Sequence, residues 1–409
     1  MPYAFCNQPW KGLYLTYTAI TLLFVRLPFW TLLYLSKKSW TLAKCLNLRM
    51  VRVLVETLTQ TGPFTEVHNH LALAPGKGVN GVWVEPVNNL ITGVLKEWAN
   101  ISKVESIRIP GYWLHKKGSS IPIGDQPHPD EKLIYALHGG AYIRCSAHPS
   151  DPTSAIQRGL LKHVTSVTRS FAIEYRLAVE KPFGEAHPFP TQIIDALAGY
   201  NYLINVVGFN PENIIIVGDS AGGNLAYAFT RYLLDHKGTN VNGATIPAPP
   251  GALLLLSPWV DLSSSHESLP RGSLARNRSS DYIGSPDGSA SSAKSAFLGP
   301  HGSDAANTNT YISPGSLHPD VEINFTGFPR TFILAGNAEV LHDSILTFRD
   351  RMVKDLGEGD GIEEGDGKVR YIDVADGTHD FLAMTWFEPE RTMSFKEINN
   401  WVHGASIDN

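Results

Sequence analysis

Apolar residues in this chain gather into short runs that close on turn-forming residues. Lys132–Leu137, 214–217, 253–256, 331–334 and Val369–Val374 each read as a strand rich in Leu, Ile and Val. The stretches 81–86 and 106–115 read as two earlier, antiparallel strands. Elsewhere the pattern is helical: 190–206 after Pro190, 223–235, and a segment through Met352 that Asp343 starts or caps. Residues 41–75 begin helically, with Leu46, Met50, Val51, Leu54 and Leu58 in register, and then become turn-rich.

Two stretches break the pattern. Residues 12–35 are almost wholly apolar and aromatic, about the length that spans a bilayer. Arg26 and Pro28 interrupt them: the arginine can snorkel, and the proline can kink the helix or split it into a shallow hairpin. A cleaved signal peptide fits poorly, since no small-residue cleavage pattern follows. A membrane anchor is the preferred reading over a core or cap helix. Lys37, Lys38, Lys44, Arg49 and Arg52 follow the segment and only Lys11 precedes it, which favours a cytosolic catalytic domain. The second stretch, 263–319, is rich in Ser, Gly, Ala, Asn and Pro. Such composition buries little, so a mobile lid or a poorly ordered insertion is expected, anchored by Tyr282, Phe297 and Leu298. Residues 357–367 form an acidic, glycine-rich turn, and no internal repeat is evident.

Bulk properties narrow the function classes. With 409 residues, 18% charged, and a net charge of −5, nothing points to nucleic acid. Cys6, Cys45 and Cys145 are scattered and odd in number, so neither a disulfide framework nor zinc spacing is expected. His68-Asn69-His70 lacks further spaced ligands and reads as a loop; no metal or cofactor is expected.

The chemistry centres on Gly218-Asp219-Ser220-Ala221-Gly222, set between an apolar strand and a helical segment. A strand, a sharp turn with serine at its apex, and a helix make the context of a nucleophile elbow. A serine hydroxyl needs a base, a carboxylate to orient that base, and donors for the oxyanion, with the chain order serine, acid, histidine. His379, in the loop after Val369–Val374, is the candidate base. Glu339 and Asp343 compete for the acid, and Glu339, closer to the end of its strand, is preferred. The turn His138-Gly139-Gly140-Ala141-Tyr142 follows the strand Lys132–Leu137. Gly140, Ala141 and Ala221 are expected to donate amides to the oxyanion, with Gly139 shaping the turn and counted with them in the hole. No lysine follows in the pattern of a phosphate loop. His138 is expected to support the turn.

The chain resembles the hormone-sensitive-lipase branch of the α/β-hydrolases, whose members include arylacetamide deacetylase and the fungal steryl acetyl hydrolases. The matching pieces fall in family order: His138 to Tyr142, Glu174-Tyr175-Arg176-Leu177-Ala178, Pro188-Phe189-Pro190, Gly218 to Asn224, Ser257-Pro258-Trp259-Val260-Asp261-Leu262, Tyr311-Ile312-Ser313-Pro314, Glu339 to Asp343, and His379-Asp380-Phe381. Ala141 stands where the family usually has a third glycine, and Glu339 where it usually has aspartate. The backbone donor survives the first change. The second asks for a small shift of the acid loop.

The resemblance implies an α/β fold with a mostly parallel central sheet flanked by helices, preceded by an N-terminal cap region and an anchor-like helix. It divides the chain into an apolar segment at 1–40, cap or linker helices at 41–80, and a catalytic domain at 81–405. The expected activity is metal-free hydrolysis of short- to medium-chain acyl esters of small lipophilic alcohols by Ser220, His379 and Glu339. Such a reaction fails below the pKa of the free histidine, and a flat acid limb down to about pH 4 would contradict it. A lipid-surface lipase, an amide deacetylase and a ligand-binding relative that has lost catalysis are the alternatives. The resembling enzymes are often anchored in the endoplasmic reticulum with a lumenal domain. The triplets at Asn100, Asn277 and Asn324 would then accept glycans, so sidedness stays open.

Overall fold

The computed structural model describes residues 3–34, 39–64, 67–76, 78–179, 181–241, 243–284 and 289–404. Leu35, Lys37 and Lys38 of the N-terminal readings lie outside the described residues, as does residue 405. Eight strands form one sheet: β1 (Asn80–Val84), β2 (Ile109–His115), β3 (Lys132–Leu137), β4 (Val167–Ile173), β5 (Ile214–Asp219), β6 (Ala252–Leu256), β7 (Arg330–Gly336) and β8 (Val369–Val374). Their spatial order is β1-β2-β4-β3-β5-β6-β7-β8. The pairs β1/β2 and β2/β4 are antiparallel and the remainder parallel. This is the mostly parallel, helix-flanked sheet of the α/β-hydrolase architecture.

Alternation along the central strands builds both faces. Leu253 and Leu255 of β6 join one apolar cluster with Ile214 and Ile216 of β5. Leu254 and Leu256 join the other with Ile215 and Val217. Strands buried on both sides read as continuous apolar runs, which is why the sequence signals them without alternation. Truncating one such leucine to alanine costs about 2–5 kcal/mol. The parallel register aligns Leu137 with Gly218, Asp219 with Leu256, and Gly336 with Val374. The loops after β3, β5, β7 and β8 therefore emerge at one edge, where parallel sheets place ligand sites.

The N-terminal apolar stretch forms a helix, Trp10–Leu32, with a π-helical segment at Leu22–Arg26 just before Pro28. Proline lacks the amide a regular ladder needs, so a local change of helix type ahead of it is expected. The helix is long and apolar enough to cross a membrane by length and composition, with a mean hydropathy of 1.3 and every side chain but Thr18 at least partly exposed. Phe24 and Leu32 are among its most exposed side chains. It touches the helix Leu42–Thr61, where the Arg49 guanidinium lies 5.5 Å from the Trp30 ring centre. That second helix is fixed to the main body: Lys44 Nζ lies 2.7 Å from Glu390 Oε1, and Trp40 Nε1 donates to Asp376 O at 2.8 Å.

The stretch 263–319 departs from expectation. Its described residues carry helices at Ser273–Asn277, Ser289–Leu298 and Gly302–Thr308 and pack against the main body. Ala293, Phe297 and Leu298 are buried, and so are the polar Asn277 and Asp281. Composition suggested a segment that buries little. Here small residues pack closely, and buried amide and carboxylate groups bond to backbone instead of water. Burial also removes Asn277 as a glycan acceptor: its Nδ2 donates to Asn337 O at 2.9 Å and Glu339 O at 2.8 Å.

Candidate active site

Ser220 stands between β5 and the helix Ala221–Asp235 with φ 52° and ψ −117°. A non-glycine residue in that region is strained, and the surrounding backbone holds it there. The Ser220 amide donates to Leu256 O at 2.9 Å. The flanking glycines leave no room for a side chain. A Cβ on Gly218 would stand 2.1 Å from Gly222 O, and one on Gly222 would stand 2.0 Å from Leu137 O.

Three side chains from three loops meet here. His379 Nε2 lies 2.9 Å from Ser220 Oγ, and His379 Nδ1 lies 2.9 Å from Glu339 Oε2. Glu339 is held in turn by the Gly336 amide, which donates to its Oε1 at 2.9 Å. All three are buried, with relative exposures of 7% for Ser220, 2% for His379 and 0% for Glu339. Burial alone would lower the His379 pKa; Asp380 and Glu339 outweigh it and raise it well above the ordinary imidazole value.

Asp343 is placed elsewhere, in the first turn of the helix His342–Leu356. Its Oδ1 pairs with Arg276 Nη2 at 2.9 Å, and its Oδ2 accepts the Ser273 amide at 2.7 Å. Burial pushes its pKa up, but the Arg276 and Ser273 contacts hold it below the usual carboxylate range.

The turn after β3 faces Ser220. Among the described residues, the amides of Gly140, Ala141 and Ala221 have no acceptor. Gly139 differs from its expected place in the hole: its amide donates to Asp219 Oδ2 at 2.9 Å. A Cβ on Gly139 would stand 2.4 Å from that oxygen, so glycine is required for the close approach of turn and elbow. Gly140 and Ala141 take φ 104° and 54°. Burial lowers the His138 pKa; its Nδ1 lies 2.7 Å from Gly139 O and its ring stacks on Tyr175, which makes it a support of the turn. Tyr142 Oη donates to Asn224 Oδ1 at 2.7 Å, joining the turn to the helix after Ser220.

The insertion closes over this cluster. The Tyr282 ring lies 5.9 Å from that of His379, and Phe297 stacks on Tyr142 at 4.0 Å. Asp281 accepts the Val340 amide at 2.8 Å through Oδ2 and Thr378 Oγ1 at 3.1 Å through Oδ1. Sequence reasoning gave Asp281 and Asn277 no part in the site. Nothing local marks them, because the partners that tie them to the site, three backbone groups and the Thr378 hydroxyl, lie 59 to 97 residues away. Asp380 lies inside the motif His379-Asp380-Phe381, whose place in the chain signals a role for the histidine alone. The His68 ring lies tilted against His148 at 3.9 Å and the His70 ring meets His187 edge-on at 4.9 Å, and no group of three or more potential metal ligands is found among the described residues.

A family model described as the alpha/beta hydrolase fold matches residues 134–382. The chain belongs to that family. Among its relatives is an esterase of Acinetobacter venetianus, 26% identical over 277 residues that cover 68% of this chain and 76% of the relative. Another is steryl acetyl hydrolase 1 of Saccharomyces cerevisiae, 26% identical over 148 residues, covering 36% of this chain and 31% of that protein. A crystal structure of a hormone-sensitive lipase from a metagenome library superposes with a TM-score of 0.54 at 22% identity, covering 96% of this chain and 98% of that one. At that identity the superposition speaks for the fold alone.

Proposed function

We propose that this chain, a hydrolase of the esterase and lipase type by family, cleaves short- to medium-chain acyl esters of lipophilic alcohols through Ser220, His379 and Glu339. The observation that carries the reading is the continuous path from Ser220 Oγ through both His379 nitrogens to Glu339, with 2.9 Å at each step. Ser220 Oγ attacks the ester carbonyl carbon while its proton passes to His379 Nε2 and the carbonyl π pair moves onto oxygen. The amides of Gly140, Ala141 and Ala221 receive that oxyanion; losing one such donor costs about 3 kcal/mol. As the tetrahedral species collapses, the C–O bond to the alcohol breaks and Nε2–H protonates the departing oxygen. Nε2 then takes a proton from water as the water oxygen bonds the acyl carbon; the bond to Ser220 Oγ breaks, Nε2–H returns the proton to Oγ, and the carboxylic acid leaves.

The substrate class rests on analogy with an acetyl hydrolase of sterols and on the exposed apolar helix Trp10–Leu32, read here as a membrane anchor. Residues 81–405 carry catalysis in this reading, and 41–80 link them to the anchor and cover part of the site.

The test is hydrolysis of chromogenic esters, from acetyl to palmitoyl, by detergent-solubilised wild type and Ser220→Ala. Short-chain turnover lost in the variant supports the reading. Preference for palmitoyl replaces it with a lipid-surface lipase, and no turnover by a folded protein replaces it with a binding protein.

A further inference from the structure

The residue after the proposed base turns back on it. Asp380 adopts a left-handed conformation, φ 47° and ψ 34°, with its amide donating to Ser257 Oγ at 3.2 Å. The turn brings Asp380 Oδ2 to 3.2 Å from His379 Nε2, the nitrogen that also faces Ser220 Oγ. The other oxygen, Oδ1, is buried and has no hydrogen-bond partner among the described residues. Among the described residues, the further groups around this corner include Glu339 from the β7 loop, Asp281 and Tyr282 from the insertion, Asp219 from the end of β5, and Cys145 and Asp151 after β3. These are acidic or neutral; the cation beside Cys145, Arg144, donates through Nη2 to Thr59 Oγ1 at 3.3 Å.

We propose that Asp380 is a further catalytic residue, whose carboxylate accepts the N–H that His379 Nε2 carries when protonated, so stabilising the imidazolium and setting the pH at which the base becomes free. The proposal rests on the serine-hydrolase reading of the site. In the neutral base, Nε2 presents a lone pair towards Ser220, and a nearby carboxylate opposes that lone pair. When Ser220 Oγ bonds the carbonyl carbon, its proton moves to Nε2 and creates the N–H that Asp380 accepts. The contact is therefore stronger in the tetrahedral species than in the resting enzyme, which is the condition for it to act on rate. The proton afterwards leaves with the alcohol oxygen, so Asp380 gains and loses nothing over the cycle. The same contact delays the base: with the carboxylate present, His379 gives up its proton only at higher pH.

A purely structural role makes a different prediction. Asparagine tolerates the left-handed conformation much as aspartate does, so Asp380→Asn keeps the turn and removes only the charge.

The experiment compares kcat/KM against pH for wild type and Asp380→Asn on a chromogenic acetyl ester, with far-ultraviolet circular dichroism to establish folding. The acid limb of the variant should move to lower pH by about one to three units. Below the wild-type midpoint the variant should then be the faster enzyme. An acid limb that stays in place overturns the proposal; for a folded variant inactive at every pH, the imidazole titration decides. Nitrogen-15 NMR of the His379 imidazole in both proteins gives a readout independent of turnover. A lower titration midpoint in Asp380→Asn is expected, and an unchanged one overturns the proposal. If wild type hydrolyses no ester, the proposed function fails while the imidazole midpoint still decides the role of Asp380.

Discussion

Glu339 Oε2 lies 2.9 Å from His379 Nδ1, while the second oxygen of the same carboxylate accepts the Gly336 amide at 2.9 Å. The acid is thus fixed at one end by its own strand and orients the imidazole with the other. Glu339→Gln can keep the Gly336 contact but turns an NH2 group towards Nδ1, which favours the wrong tautomer. We expect kcat to fall by about 1,000- to 10,000-fold with little change in melting temperature. Asp343→Asn, which touches Arg276 and Ser273 instead, should leave kcat near wild type. A larger loss from Asp343→Asn than from Glu339→Gln in steady-state kinetics would reverse the assignment of the acid.

Asp281 joins the two loops that carry Glu339 and His379, through Val340 N and Thr378 Oγ1. Burial pushes its carboxyl up to about 6 from an ordinary 3.8. The sign follows from linkage. Between those values the unfolded chain has released this proton and the folded protein still holds it, so raising the pH through that window lowers stability. Asp281→Asn removes this dependence. The stability of wild type relative to the variant should therefore rise as the pH is lowered from 6 towards 4, measured by urea titration at each pH. At neutral pH the variant leaves one buried donor less well paired, at a cost of about 1–3 kcal/mol. Because Asp281 braces the loops of both Glu339 and His379, we expect kcat to drop about tenfold, roughly 1.4 kcal/mol of activation free energy, while KM is nearly unchanged.

Much of this arrangement is legible in the chain itself. The run at Lys132–Leu137 coincides with β3, because a strand buried on both faces is apolar along almost its whole length, and Val369–Val374 coincides with the edge strand β8, where Arg370 and Asp373 interrupt the apolar positions. The glycines around Ser220 mark the elbow, since only they fit where backbone approaches within about 2 Å of a would-be Cβ. What the sequence did not reveal is long-range and polar. Asp281 and Asn277 sit in a serine- and glycine-rich stretch that looks unstructured by composition, yet both are buried against backbone supplied by the β7 loop. No local period or spacing encodes such a pairing. The commitment of the Gly139 amide to Asp219 was hidden for the same reason: two tight turns meet only after the sheet has formed.

The His379 environment also fixes the expected pH profile of the wild type. The base acts when neutral, and its pKa is raised well above the ordinary 6.5. Activity on an acetyl ester should therefore be low at pH 6 and climb through the alkaline range, with an acid limb above that of an unperturbed imidazole. A profile already flat from pH 5 upward would show that neither Asp380 nor Glu339 raises the base as their contacts imply. The measurement is kcat/KM in overlapping buffers at constant ionic strength.

The helix Trp10–Leu32 gives a prediction that separates attachment from catalysis. Every side chain in it but Thr18 is at least partly exposed, and Leu23 and Phe24 are exposed near its middle. If it is inserted in a bilayer, a charge at either position costs about 2.5–3.5 kcal/mol. The double substitution Leu23→Arg and Phe24→Arg should then release the protein from phosphatidylcholine vesicles in a flotation assay. Neither residue packs into the main core, so hydrolysis of a detergent-dispersed acetyl ester should persist at the wild-type rate. Retained flotation would mean that membrane attachment does not depend on this helix. Release accompanied by loss of acetyl ester turnover would mean instead that the helix supports the folded site through its contact with Leu42–Thr61, and the anchor reading would give way to a structural one.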